Sequence, residues 1–132
     1  MPGPADLARG WMQKGDSDRF AANGIAQTPG PYDTVCFHAQ QAAEKYLKAV
    51  IALAGAAIPR VHDLDVVYEA CLRVSPGMSL DRAELRTLTP YAIQLRYDSG
   101  FWPDVATARR AIEIADRVRS AVLSVLPRDA HP

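Results

Sequence analysis

Four polar side chains that could together bind a phosphate or a base are spaced at helical intervals in one segment of the chain. They are His38, Gln41, Lys45 and Lys48, separated by three, four and three residues. In an α-helix this spacing places all four on one stripe. Two cations, an imidazole and an amide suit a phosphate or the edge of a base. The alternative, which spacing alone favours, is a solvated flank of a core helix.

Two further segments carry side chains that fit the same chemistry. His62 and Asp63 stand at the predicted start of a helix, a place that attracts anions. A helix-capping Asp63 beside a surface His62 is the commoner explanation of such a pair. Arg96 and Tyr97 could pair with a phosphate and stack on a base. Here too a simpler explanation is favoured, an arginine stabilised at a helix C-terminus.

One acidic side chain is predicted to be partly buried. Asp18 interrupts the apolar stripe of the first predicted helix, so its carboxylate needs a partner. Lys45 is the predicted partner, and Lys48 is expected to support the same site. A cluster that holds Lys45, Arg96 and two histidines is expected to be locally positive and to attract anions.

Size and composition fit one domain in the cytoplasm. The chain has 132 residues and is 48% hydrophobic, enough to bury one hydrophobic core without disulfide bonds or structural metal ions. Lys+Arg and Asp+Glu are both 15, and this zero net charge argues against a protein that coats nucleic acid by bulk electrostatics. The first ten residues lack an apolar run of the length of a signal peptide, and no stretch approaches the about 20 apolar residues of a membrane span.

Cys36 and Cys71 are interpreted as reduced core thiols. No zinc spacing is present, and neither a metal nor a cofactor is expected.

Prolines and glycines divide the chain into about five predicted helices, without strand-like alternation. Long helices are predicted over about residues 5–26, 32–53 and 104–125, and a short one starts near Asp63. A fourth starts after the capping Asp81 and is interrupted at Pro90, by a kink or by a second short helix capped by Thr89. The fold class is therefore all-α, an up-and-down helical bundle over residues 5–126, with a flexible tail at 127–132.

The second predicted helix carries apolar side chains on two sides. Phe37 and Ile51 fall away from its main apolar face. Exposed large apolar groups on a helix usually mark an interface. These two residues therefore predict a homodimer with twofold symmetry, the commonest class of oligomer.

The second helix also carries a recognisable motif, FHAQQAAEKYLKA at positions 37–49. It resembles the signature helix of the HEPN family, the higher eukaryotes and prokaryotes nucleotide-binding domain. His62-Asp63-Leu64 and Arg96-Tyr97 follow in the family's order, and Trp11 with Asp18 resembles its first helix. The resemblance spans about residues 5–125. It implies a small helical bundle, usually homodimeric, often encoded beside a minimal nucleotidyltransferase as a toxin–antitoxin-like pair. The ligand-binding residues it implies are His38, Gln41, Lys45, His62, Asp63, Arg96 and Tyr97.

The resemblance also implies that many relatives are metal-independent ribonucleases. These carry an arginine followed, after four to six residues, by a histidine. Here Arg96 is followed by YDSGFWP at 97–103, which contains no histidine, so catalysis by that route is not expected. The favoured function is a module that binds a nucleotide or RNA beside a nucleotidyltransferase partner. One alternative is a ribonuclease toxin with an atypical site of His38, His62 and Arg96. Another is a purely structural interaction domain.

Overall fold

The computed structural model describes all 132 residues, as helices joined by loops. The helices are α1 (Pro4–Ala26), α2 (Asp33–Leu53), α3 (Leu64–Val74), α4 (Arg82–Leu88) and α5 (Val105–Val125). Short 3-10 turns follow at Thr89–Tyr91 and Arg128–Ala130. The predicted all-α class and the order long, long, short, interrupted, long are confirmed. None of the helices combines the length and apolar character that a membrane crossing requires.

Helix α2 lies at the centre of the bundle, where α1, α3 and α5 pack around it. Its side chains are therefore buried on more than one side, and Ile51 is fully enclosed. The prediction that Ile51 marks an interface is wrong, because the second apolar side of the helix is covered by its own bundle. Phe37, near the start of α2, is only partly buried.

The close approach of α1 to α2 depends on Gly15. A Cβ atom at this position would lie 2.6 Å from Cε1 of the buried Tyr46 ring, a distance that no side chain tolerates. The Tyr46 hydroxyl donates a 2.6 Å hydrogen bond to Asp16, whose carboxylate also accepts from Nε of Arg119 at 2.8 Å. Gly15 weakens the helix locally, yet it lets α1 lie directly on α2 and brings Asp18 against that helix.

The chain becomes irregular after α4, where Pro90 lacks the N–H that a continuing helix needs. The Thr89 hydroxyl donates to the Leu85 carbonyl at 3.0 Å and accepts from the Leu64 amide at 3.1 Å. Thr89 therefore ties the start of α3 to the end of α4, and only a 3-10 turn follows it. A series of turns then leads through residues 92–97 and carries Arg96 and Tyr97.

The C-terminal residues are packed, which differs from the flexible tail expected from the sequence. Ala130 is fully buried beside α1. His131 Nε2 lies 3.1 Å and 3.0 Å from the carbonyl oxygens of Leu123 and Leu126. These contacts satisfy carbonyls at the end of α5, which have no partner within the helix.

Candidate functional site

The first cluster of the candidate site is built around Asp18, which is almost completely buried. His38 Nδ1 lies 2.8 Å from one carboxylate oxygen, and Lys45 Nζ lies 2.5 Å from the other. The structure therefore contains the predicted Asp18–Lys45 pair. Burial alone would raise the pKa of Asp18, but hydrogen bonds from His38 and Lys45 outweigh it and hold the pKa below its ordinary value. The carboxylate consequently stays charged at neutral pH.

A second cluster repeats this arrangement around Glu44, whose residue surface is only 4% exposed. His62 Nδ1 lies 2.7 Å from Oε1, and Lys48 Nζ donates to Oε2 at 2.9 Å. Gln40 is fully buried and donates to Glu44 at 3.3 Å and to the His62 carbonyl at 3.0 Å. Glu44 and Gln40 were not predicted from the sequence to belong to the site. The signal available was their spacing, because Gln40, Glu44 and Lys48 follow at intervals of four residues.

The two lysines are committed to these buried carboxylates. Lys45 is paired with Asp18, and Lys48 is paired with Glu44 and almost fully enclosed. Each positive charge is thus balanced at contact distance by a negative one. The lysines therefore help to hold the two clusters together, and neither supplies a free cation to a ligand.

Both imidazoles are held in the same way. Each points Nδ1 at a carboxylate, so Nδ1 carries the proton and Nε2 lies on the opposite edge of the ring. His62 is about half exposed and His38 about a third. The two Nε2 atoms are therefore the nitrogens left to meet a ligand.

Arg96 is the free cation of this region. Its guanidinium carbon lies 4.2 Å from the centroid of the Phe37 ring and 5.5 Å from that of Tyr97. It forms no ion pair, unlike Arg82, Arg117 and Arg119, which all contact carboxylates. Cation–π stacking holds the guanidinium plane in position while its N–H groups stay available at the edge.

Three grooves meet around these side chains. The Arg96 groove has a volume of about 470 Å³ and is lined by Phe37, Gln41, His62, Ala92, Ile93, Arg96 and Tyr97. The His38 groove, of about 340 Å³, is lined by Asp33, Thr34, Phe37, His38 and Arg96. The apolar groove, of about 450 Å³, is lined by Val61, His62, Asp63, Thr89, Pro90, Ala92, Ile93 and Gln94. Phe37 and Arg96 line both of the first two grooves, so their stack stands between them.

Comparison with known proteins assigns the fold. A family model described as the HEPN domain matches residues 8–125, most of the chain. The chain belongs to the HEPN family. The crystal structure of TT1696 from Thermus thermophilus resembles this HEPN domain with a TM-score of 0.76 and 22% identity. That similarity covers 90% of this chain and 98% of the other, and it shows a shared fold. No curated protein matches the chain significantly.

The structure of this HEPN domain brings together five of the seven predicted ligand-binding residues around the Phe37–Arg96 stack. Gln41, His62 and Tyr97 share the Arg96 groove with Arg96 itself, and His38 lies across the stack. Asp63 lines the neighbouring apolar groove, and it also caps α3 by accepting from the Asp65 amide at 3.0 Å. The other two predicted residues, Asp63 and Lys45, thus lie outside the Arg96 groove and the His38 groove. Lys48 lines neither of these grooves. No group of three or more His, Cys, Asp or Glu side chains is arranged to hold a metal ion.

Family membership places this chain among nucleotide- or RNA-related modules at the level of the family. Phe37 is a further residue of the candidate site, although its position in the sequence predicted an interface instead. Its aromatic ring is the platform on which Arg96 lies. Phe37 and Arg96 are 59 positions apart in the sequence, and their contact could not be predicted because Arg96 belongs to an irregular segment without a periodicity that predicts its direction.

Proposed function

We propose that this HEPN domain binds a nucleotide or an RNA end, with the phosphate at Arg96. The observation that carries the proposal is the unpaired Arg96 guanidinium, stacked on Phe37 at the mouth of a groove. An arginine fixed in this way presents a fork of N–H donors that matches two phosphate oxygens. Because its orientation is set before binding, less entropy is lost when the ligand arrives.

The lining of the Arg96 groove supports this assignment. His62 is anchored through Nδ1, and its Nε2 can accept a hydrogen bond, or donate one when the ring is protonated. The Gln41 amide donates to Gln40 at 2.8 Å, which leaves the carbonyl oxygen of Gln41 for a ligand. Tyr97 is 76% exposed and offers a face on which a neighbouring base of an RNA can stack. Phosphate, ribose and base therefore each find a chemically suitable partner.

The chain is further proposed to act as a homodimer and to pair with a minimal nucleotidyltransferase in a toxin–antitoxin-like system. Trp102, a large aromatic side chain six positions after Arg96, supports a protein interface, since it is 64% exposed. Exposed large apolar groups are typical of contact sites. Copurification of a nucleotidyltransferase with the chain, from its native host, tests the proposed pairing with a nucleotidyltransferase.

The paired histidines favour one alternative function, a metal-independent ribonuclease. His38 and His62 are each oriented by a buried carboxylate, and Arg96 contributes to both of their grooves. In such a site one imidazole accepts the proton of the ribose 2′-hydroxyl as that oxygen attacks the phosphorus. The other donates a proton to the departing 5′-oxygen, which leaves a 2′,3′-cyclic phosphate. Cleavage of RNA in EDTA that is lost in His62→Ala would establish this function over simple binding.

The binding proposal is tested by titrating mononucleotides and short single-stranded RNA into the wild type and Arg96→Ala. We expect binding that weakens as salt rises, because the interaction is with phosphate. We also expect Arg96→Ala to reduce it strongly. The titration is followed by NMR. If no ligand shifts a resonance of the residues that line the Arg96 groove, the domain is a structural interaction module.

A further inference from the structure

Phosphate binding at Arg96 leaves the apolar groove without a role. This groove lies between the loop that precedes α3 and the 3-10 turn Thr89–Tyr91. Two of its side chains, Val61 and Ile93, are large, apolar and exposed by 38% and 55%. Pro90 adds a rigid apolar surface. Apolar side chains grouped around one depression, with a few polar atoms at its edge, are typical of a small-molecule site.

The apolar groove is continuous with the Arg96 groove. His62, Ala92 and Ile93 line both of them. A ligand that lies across His62 and Ile93 can therefore place an apolar part on one side and an anionic part on the other. A nucleotide has this distribution, with a flat base at one end and a phosphate at the other.

The polar atoms at the edge of the apolar groove suggest which bases fit. Asp63 uses Oδ1 to accept from the Asp65 amide at 3.0 Å, and no side chain or amide donates to Oδ2. An ionised carboxylate only accepts hydrogen bonds. It therefore attracts the amino group of adenine, cytosine or guanine. Uracil presents carbonyl oxygens on both sides of its ring N–H, and these are repelled by the same carboxylate.

We propose that the apolar groove is a nucleobase pocket in which Asp63 selects bases that carry an amino group. The base packs against Ile93, Pro90 and Val61, the amino group donates to Asp63, and the phosphate reaches Arg96. The inference rests on the proposed function, because Arg96 fixes the position of the phosphate. It adds a specificity that phosphate binding alone does not provide.

The test compares CMP with UMP, whose bases differ at C4, by an amino group against a carbonyl oxygen, and at N3, by an acceptor nitrogen against an N–H. Binding is measured by calorimetry, with ribose 5-phosphate and inorganic phosphate as ligands that lack a base. We expect CMP to bind about tenfold more tightly than UMP, the effect of one charge-assisted hydrogen bond. CMP should also bind more tightly than ribose 5-phosphate.

Asp63→Asn is the decisive variant, because asparagine caps a helix as well as aspartate does. It should abolish the preference for CMP over UMP. The matched control is Asp81→Asn, which changes the same type of cap at α4 and touches none of the grooves. Val61→Ser should weaken CMP binding severalfold through lost apolar contact. Val74→Ser is its control, since Val74 is equally exposed at 38% and lines no groove.

Two failures of this experiment have different meanings. If CMP and UMP bind equally, or if Asp63→Asn keeps the preference, the nucleobase pocket is wrong while the phosphate site at Arg96 stands. If neither nucleotides nor the two phosphates without a base bind to the wild type, the proposed function and this inference fail together.

Discussion

His62 Nδ1 lies 2.7 Å from Oε1 of Glu44, and this contact joins an exposed groove to the buried centre of the bundle. Glu44 is held in turn by Lys48 and Gln40, both on the same helix. The orientation of the His62 ring is thus determined by a side chain that a ligand never touches. A change at Glu44 should consequently alter both the stability of the fold and the position of His62.

Glu44→Gln should lower the free energy of unfolding by roughly 3 kcal/mol, because it leaves the enclosed Lys48 charge without its counter-ion. Urea denaturation at neutral pH measures the change. The control is Glu69→Gln, which removes a carboxylate from the exposed ion pair with Arg82. An exposed pair contributes about 0–1 kcal/mol. Equal effects of the two variants would show that Glu44 is not an internal partner of Lys48.

Asp18→Asn should destabilise the protein at neutral pH by about 3 kcal/mol, since Lys45 then lacks its partner. The pKa of Asp18 lies below its ordinary value in the folded chain. Its charged form therefore stabilises the fold above the unfolded pKa of about 3.9, and this stabilisation is lost as pH falls through the lower folded pKa. The melting temperatures of wild type and variant should differ by several degrees at neutral pH and converge in acid. A constant difference, or the same convergence in the exposed control Asp129→Asn, would contradict this account.

Gly15→Ala and Gly10→Ala should have opposite effects although both glycines lie in α1. Alanine favours a helix over glycine by about 1 kcal/mol, and nothing lies within 4 Å of a Cβ at Gly10. At Gly15 the Cβ would meet the Tyr46 ring at 2.6 Å, and overpacking of this kind destabilises by roughly 1–3 kcal/mol. Thermal unfolding of the two variants measures the sign directly. Stabilisation by Gly15→Ala would show that α1 and α2 are not in close contact.

The proposed homodimer should be detectable by light scattering at micromolar concentration. Trp102→Ser should shift the protein toward the monomer, because Trp102 is an exposed aromatic residue in the loop between Arg96 and α5. Phe20→Ser is the control, since Phe20 is 82% exposed on α1 and lines no groove. If light scattering shows that the wild type is a monomer at micromolar concentration, the proposed homodimer is wrong.

Local patterns in the sequence predicted the helices and the Asp18–Lys45 pair. Both depend on periodicity, which a single sequence displays. The burial of Ile51 was mispredicted because periodicity identifies the sides of a helix without telling how many neighbours surround it. The contacts of Glu44 with His62 and of Arg96 with Phe37 also went unpredicted. They join segments 18 and 59 positions apart through a loop and a run of turns, where spacing carries no directional information.

The most direct test of the central claim is calorimetric titration of a short single-stranded RNA into the wild type, Arg96→Ala and Arg73→Ala at two salt concentrations. Arg73 is an exposed arginine in the last turn of α3 that lines no groove, so it controls for the loss of one positive charge. Arg96→Ala should weaken binding about tenfold and reduce the dependence of log Kd on log salt by about one. Arg73→Ala should bind as the wild type does. Equal binding by wild type and Arg96→Ala would contradict the assignment of Arg96 as the phosphate-binding residue.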